Sequence, residues 1–222
     1  MLIHDARRAA VAEFAGTALL LIAVVGSGIM AERLFVEQAG LALLANAIAT
    51  GGALIALILA FGPISGAQFN PVVTLAAVLR REMRWPRALA YMAAQVTGTI
   101  VGVWLAHGMF ALPILQLGIK PREGGAQWLA EAIATFGLLA VIFGCRAQGR
   151  PAVAYAVGAY ITGAYWFTSS TSFANPAVTL ARALTTSFAG IRPEDVAPFC
   201  LAQCVGGVAA VSLFAWFERR AD

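Results

Sequence analysis

Asn70-Pro71-Val72-Val73-Thr74-Leu75-Ala76 and Asn175-Pro176-Ala177-Val178-Thr179-Leu180-Ala181 are two versions of one segment. Each sets an Asn before a Pro at the head of an apolar run too short to cross a membrane. Asn is a favoured helix N-cap and Pro is favoured at the first helical position. The chain therefore starts a short helix twice, at corresponding places in two halves. In a membrane protein, a pair of such interrupted segments is a sequence-level pointer to a transport site.

Composition places the chain in a membrane. Its 222 residues are 60% hydrophobic and 12% charged, with a mean hydropathy of +0.80. A soluble domain carries about 25% charged residues, so the excess apolar surface is expected to face lipid. The net charge of +4 and the pI of about 9.3 read as cytoplasmic anchoring charge, with no nucleic-acid partner. Cys145, Cys200 and Cys204 all lie in apolar stretches and read as small core residues. Arg7 and Arg8 before an apolar run resemble a signal peptide. The run from Val11 to Met30 is nevertheless long enough to span about 30 Å of hydrocarbon, and it is read as the first transmembrane helix.

Six spans are expected, at about 9–30, 40–61, 86–110, 127–147, 151–168 and 195–217. With the N-terminus in the cytoplasm, the inside holds Arg7, Arg8, Arg80, Arg81, Arg84, Arg87, Arg146, Arg150, Arg219 and Arg220. The outside holds Arg33, Lys120, Arg122, Arg182 and Arg192. Ten basic residues against five favour this orientation, with both termini cytoplasmic.

The two halves repeat, the first over about 9–110 and the second over about 127–217, within a single channel domain covering residues 1–222. Ala12-Glu13-Phe14-Ala15-Gly16-Thr17 opens span one and Ala130-Glu131-Ala132-Ile133-Ala134-Thr135 opens span four. Gln95-Val96-Thr97-Gly98 in span three is matched by Gln203-Cys204-Val205-Gly206 in span six. Three spans per half is an odd number, so the halves insert in opposite senses, as an inverted repeat. Residues 70–80 and 175–185 would make helices about 16 Å long at 1.5 Å per residue, half the hydrocarbon depth. The loops before them must dip inward from opposite sides, so that the Asn-Pro ends meet near the midplane. Irregular backbone at that depth is tolerated only where it is buried in protein or lines a water-filled path. The expected fold is thus an all-α membrane protein with six transmembrane helices, two re-entrant half-helices and inverted three-helix repeats.

Ser65-Gly66-Ala67-Gln68-Phe69-Asn70-Pro71-Val72, Phe173-Ala174-Asn175-Pro176-Ala177 and the paired Glu and Gln residues resemble the aquaporin and aquaglyceroporin family of membrane channels. The resemblance covers essentially the whole chain. It implies a homotetramer in membrane lipid with one pore per subunit, no cofactor and no metal. Asn70 and Asn175, each followed by its Pro (Pro71, Pro176) and then Val72 or Ala177, would aim their amides at a permeating molecule. Two half-helix N-termini facing the centre would concentrate partial positive charge there, which opposes cations. Glu13 and Glu131, with Gln95 and Gln203, would be buried polar groups of structural use, because a carboxylate inside a membrane helix needs partners.

The chain departs from the family at its outer filter. Members typically carry an Arg directly after the second Asn-Pro-Ala; here that position is Val178. The resemblance puts the other three filter positions at Thr50, Gly163 and Ser172. All four residues are small and neutral. Losing an Arg removes five N–H donors and a fixed charge. A wide, uncharged outer constriction is therefore expected, unless Tyr160, Tyr165, Trp166 or Phe167 leans in. It should pass neutral solutes larger than water, such as polyols of the glycerol or urea size. The Val variant resembles a small bacterial subgroup associated with arsenic resistance. That implies arsenous acid or methylated arsenicals as cargo and a bacterial inner membrane as location. Gln68 stands where the family usually has His, and Val72 replaces an Ala. Arg182, four residues after Val178, lies one turn further out on the same helix face. It could restore part of the missing charge at the outer vestibule, or instead snorkel to lipid headgroups or neutralise the C-terminus of the half-helix.

Other classes fit less well. The histidines are His4 and His107, and the aspartates Asp5, Asp195 and Asp222 lie at span edges. No catalytic constellation sits at membrane depth, which argues against an enzyme. An ion-coupled transporter would need ionisable residues on its path, and only Glu13 and Glu131 qualify. Within the channel reading, a water-selective pore is the alternative.

Overall fold

The structure is a computed structural model that describes residues 6–218. Arg219 and Arg220, counted above on the cytoplasmic side, lie outside the described residues, as do His4, Asp5 and Asp222. All regular elements in the described residues are helical. Six are long: α1 (Ala6–Leu34), α2 (Ala39–Ser65), α4 (Trp85–Met109), α5 (Gly125–Cys145), α6 (Arg150–Phe167) and α8 (Val196–Phe217). Two α-helices are short, α3 (Pro71–Leu79) and α7 (Pro176–Arg182), and single 3-10 turns at Arg146–Gln148 and Pro193–Asp195 complete the set. The long helices fall on the six expected spans to within a few residues. Five of those stretches are long and apolar enough to cross a membrane. The sixth, α6, has 18 residues and starts at Arg150. At 1.5 Å per residue it is about 27 Å long, and it is held between α2 and α5.

The expected inverted repeat governs the packing. If α1, α2, α3 and α4 are paired with α5, α6, α7 and α8, every major contact has its counterpart. α1 packs on α4 and α5 on α8; α1 on α2 and α5 on α6. α4 touches α7, and α8 touches α3. The two contacts that map onto themselves, α2 with α6 and α3 with α7, mark where the two-fold axis passes.

Small residues set how closely the helices approach. A Cβ added at Gly98 of α4 would overlap the Phe14 carbonyl oxygen of α1, and one at Gly206 of α8 would overlap the Ala132 carbonyl oxygen of α5. Gly51 and Gly158 face each other at the α2–α6 crossing in the same way. Packing of this kind replaces the hydrophobic drive that lipid does not supply.

The half-helices are where the expectation places them, but α7 is shorter than 175–185 because it stops at Arg182. Its last carbonyls are taken by other segments instead of by a further turn. Gly118 N–H donates to the Ala183 carbonyl at 2.7 Å, and Ile191 N–H to that of Arg182 at 3.2 Å. The three cysteines are free and partly buried.

Candidate functional site

The two Asn-Pro segments meet head to head. Asn70 (φ −153°, ψ 120°) and Asn175 (φ −160°, ψ 112°) have nearly the same extended backbone. Each side-chain oxygen caps its own half-helix. Asn70 Oδ1 accepts from Val72 N–H at 2.9 Å, and Asn175 Oδ1 from Ala177 N–H at 3.0 Å and Val178 N–H at 3.3 Å. Each amide also reaches across to the opposite loop. Asn70 Nδ2 donates to the Ala174 carbonyl at 2.7 Å, and Asn175 Nδ2 to the Phe69 carbonyl at 2.8 Å. One N–H of each amide is spent on this clasp. The second has no protein partner, on residues that line a cavity.

Two dipping loops with matching left-handed residues allow this meeting. Ala67 (φ 48°) corresponds to Ser172 (φ 49°), and Phe69 (φ 50°) to Ala174 (φ 49°). Such values are uncommon for residues with a Cβ and persist only where the surroundings over-determine them. Here the surroundings are two buried carboxylates. Glu13 accepts from Ser65 Oγ (2.6 Å), Gln68 N–H (3.0 Å), Phe69 N–H (2.7 Å) and Gln95 Nε2 (2.8 Å). Glu131 accepts from Phe173 N–H (2.9 Å), Ala174 N–H (2.9 Å) and Gln203 Nε2 (2.6 Å). The glutamines extend each bracket to the half-helices, Gln95 donating to Thr74 Oγ1 at 3.0 Å and Gln203 to Thr179 Oγ1 at 2.8 Å. Both leave their Oε1 buried and unpartnered. Turning either amide over would aim that oxygen at a carboxylate oxygen, so the carboxylate fixes its orientation.

A cavity of about 220 Å³ runs past this centre, with Arg146 at one end and Arg182 at the other. Asn70, Asn175, Gln68 and the backbone of the two loops give it a polar side. Leu20, Val24, Leu54, Ile58, Val157 and Ile161 give it an apolar one. Val73 and Val178, which stand three residues after their respective Asn, both line it.

Three of the four expected filter residues are brought together: Thr50, Ser172 and Val178 line the cavity and are buried. Gly163 is not among the lining residues. The face of α6 turned to the cavity runs through Val153, Val157, Ile161 and Tyr165, at a spacing of four. Gly163 lies two residues, about 200° of helix, from both Ile161 and Tyr165. Of the four aromatic side chains that could lean in, Tyr165 does so. Its hydroxyl is 3.1 Å from Thr50 Oγ1. Tyr160 instead donates to the Ala134 carbonyl at 3.2 Å, and Trp166 and Phe167 are exposed. The constriction expected to be wide is therefore trimmed by one phenol.

The Arg182 end is also less neutral than Val178 implied. Arg182 is buried, donates from Nε to the Ala189 carbonyl, and lies with Cζ 3.4 Å from the centroid of the Phe173 ring. Arg122, from the loop before α5, sits on the same ring at 4.7 Å. It donates to the carbonyls of Gly190 (2.9 Å) and Ser170 (2.8 Å), which braces the second dipping loop. Burial pushes the Arg122 guanidinium down to about 9, and the charge of Arg182 adds to the push. Lys120, in the same loop, is pushed down to about 8 by burial and then by Arg122 and Arg182. At the opposite end, Arg146 is paired with Glu82 at 2.6 Å.

Arg122 was not singled out from the sequence, because nothing in a short polar loop marks one Arg as buried. Tyr165 stood only among four aromatic candidates; the four-residue spacing from Val153 was the signal that would have selected it. Gln68, where the family usually has His, lines the cavity and accepts from Thr74 Oγ1 at 2.7 Å. Among the described residues, no cluster of three His, Cys, Asp or Glu could hold a metal.

Two inverted halves, half-helices meeting at their N-termini and a cavity past both Asn residues define a membrane channel. Residues 3–152 match the model of the major intrinsic protein family. The chain is 52% identical over 217 residues to aquaglyceroporin AqpS of Rhizobium meliloti (strain 1021), covering 98% of this chain and 93% of that one. It is 38% identical to a probable aquaporin, PIP2-8 of Arabidopsis thaliana, over 58% of this chain and 44% of the relative. The X-ray structure of the aquaglyceroporin from Plasmodium falciparum superposes with a TM-score of 0.73 at 20% identity, covering 95% of this chain and 96% of that one. The chain belongs to the major intrinsic protein family. It is an integral membrane channel for small neutral solutes and not an enzyme.

Proposed function

We propose that this channel conducts neutral solutes larger than water, of the polyol and urea size, with arsenous acid and methylated arsenicals among them. The observation that carries the reading is Val178 on the cavity wall, where the family resemblance expects an Arg. Thr50 and Ser172 add small hydroxyls to the same stretch, and Tyr165 adds one rigid ring. A solute with hydroxyls on one side finds acceptors and donors there, and its apolar side meets valines. Arsenous acid is compact, uncharged at neutral pH and presents three hydroxyls, so it suits such a wall. Asn70 and Asn175 serve as the central donors, each with one unspent N–H. Glu13, Glu131, Gln95 and Gln203 hold the loops that place them.

The assembly we infer is a homotetramer in a bacterial plasma membrane, with both termini cytoplasmic. The Arg146 end of the cavity is then the inner mouth and the Arg182 end the outer.

Stopped-flow light scattering on proteoliposomes tests the reading, with water, glycerol, urea and arsenous acid compared side by side and no ion gradient. The larger solutes are expected to cross faster than in empty vesicles, and Val178→Arg to narrow the spectrum toward water. Fast water flux with every larger solute excluded would defeat the proposal. It would then favour a water pore set by the Tyr165–Thr50 contact.

A further inference from the structure

Position 178 carries no charge, yet the outer end of the cavity does. Arg182 lines it, one turn beyond Val178 on α7. The residue is 2% exposed and takes part in none of the salt bridges among the described residues. Its guanidinium is held from two directions, by the Phe173 ring on one face and the Ala189 carbonyl at Nε. That leaves the N–H groups of both terminal nitrogens without a protein acceptor. A second group in the same cavity is in the same condition: Ser172 Oγ is buried, unpartnered and on the lining. An unpaired buried charge is expensive wherever it occurs. Here it is fixed in place, its donors are left open, and a solute path runs beside it.

We propose that Arg182 is the selectivity residue of the outer mouth: its open N–H groups, with Ser172 Oγ, receive the oxygens of a hydroxyl-bearing neutral solute, and its charge turns back cations. The inference rests on the channel reading above and deepens it. The task is done from a position four residues beyond the one that the resemblance assigns to a basic residue. Arg182 thus leaves the width at Val178 free while restoring the charge. Phe173 and Ala189 position it; Arg122, on the same ring, braces the loop that carries Phe173 and Ser172. At about 6 Å, a fixed charge depresses the local concentration of a monovalent cation roughly three- to a hundred-fold, between fully aqueous screening and an effective dielectric of about 20.

Proteoliposomes containing the parent chain, Arg182→Ala, Arg182→Gln and the double variant Arg182→Ala with Val178→Arg provide the test. Proton and sodium leak are read under an imposed potential, and water and glycerol flux in the same vesicles. Leak per unit of water flux is expected to rise on the order of ten-fold in both single variants and to fall back in the double variant. Arg182→Gln keeps a planar group against Phe173, so it carries the measurement if the alanine variant does not fold. A leak-to-water ratio at the parental level in the single variants would overturn the proposal. So would loss of all flux in both, which would make Arg182 a residue of the fold. A parent chain that passes neither water nor glycerol would bring down the channel reading instead, independently of Arg182.

Discussion

At the scale of single residues, the two buried glutamates explain how irregular backbone survives inside a membrane protein. A dipping loop exposes N–H groups that no helix or water satisfies. Glu13 and Glu131 each accept from two consecutive backbone N–H groups, and each is in turn held by a Gln from the neighbouring long helix. Replacing Glu131 by Gln would set an amide NH₂ against donors on at least one side, leaving a buried N–H unsatisfied. The expected cost is about 2–4 kcal/mol, seen as a lower thermal midpoint in detergent and as lost water flux. Glu131→Gln with parental stability would show that the loop finds its acceptors elsewhere. The glutamates were legible in the sequence because the repeat presents them twice, in matching contexts. Arg122 was not legible, since its role depends on the carbonyls of Ser170 and Gly190, which only the folded chain brings to it.

At the scale of elements, the helices were legible from apolar length and from the Asn-Pro starts, and their ends less so. A half-helix needs a cap at its beginning, which local sequence supplies, but its end is set by whatever claims its last carbonyls. That is why α3 runs close to expectation while α7 stops at Arg182, where Gly118 and Ile191 take over. The same distinction explains Gly163. Counting back from Asn175 places it at the height of a filter residue, but only the rotation of α6 decides that Tyr165 and Ile161 face the cavity. Helix contacts at glycine are the element-scale feature most open to test. Gly206→Ala would drive a methyl into the Ala132 carbonyl of α5, a backbone atom that cannot swing aside. Overpacking of this kind typically costs about 1–3 kcal/mol, so the variant is expected to melt earlier and to reconstitute poorly. Gly52→Ala, where an added Cβ meets nothing within 4 Å, is the control and should match the parent.

At the scale of the whole molecule, the inverted repeat makes the path nearly symmetric and the charges break that symmetry. Val73 answers Val178 across the two-fold axis, and the crossed bonds of Asn70 and Asn175 answer one another. The partner of Arg182 in the first half is Ala77, seven residues after its Asn, so the guanidinium at one end has no mate at the other. Arg146, at the opposite end of the cavity, is paired with Glu82, which it shares with Arg80. On the proposal above, cations are turned back at the Arg182 mouth, while a passive path supplies no energy that could drive a neutral solute in one direction. Glu13 and Glu131, the ionisable groups that an ion-coupled transporter would have required, are fully engaged in holding the loops and are not on the cavity lining. Influx and efflux of glycerol, measured on vesicles of known orientation under equal and opposite gradients, are therefore expected to give one permeability coefficient. Collapsing a proton or sodium gradient should leave that coefficient unchanged. A coefficient that follows the ion gradient would mean that a carboxylate releases its loop during transport, and the fixed pore described here would have to give way to an alternating one.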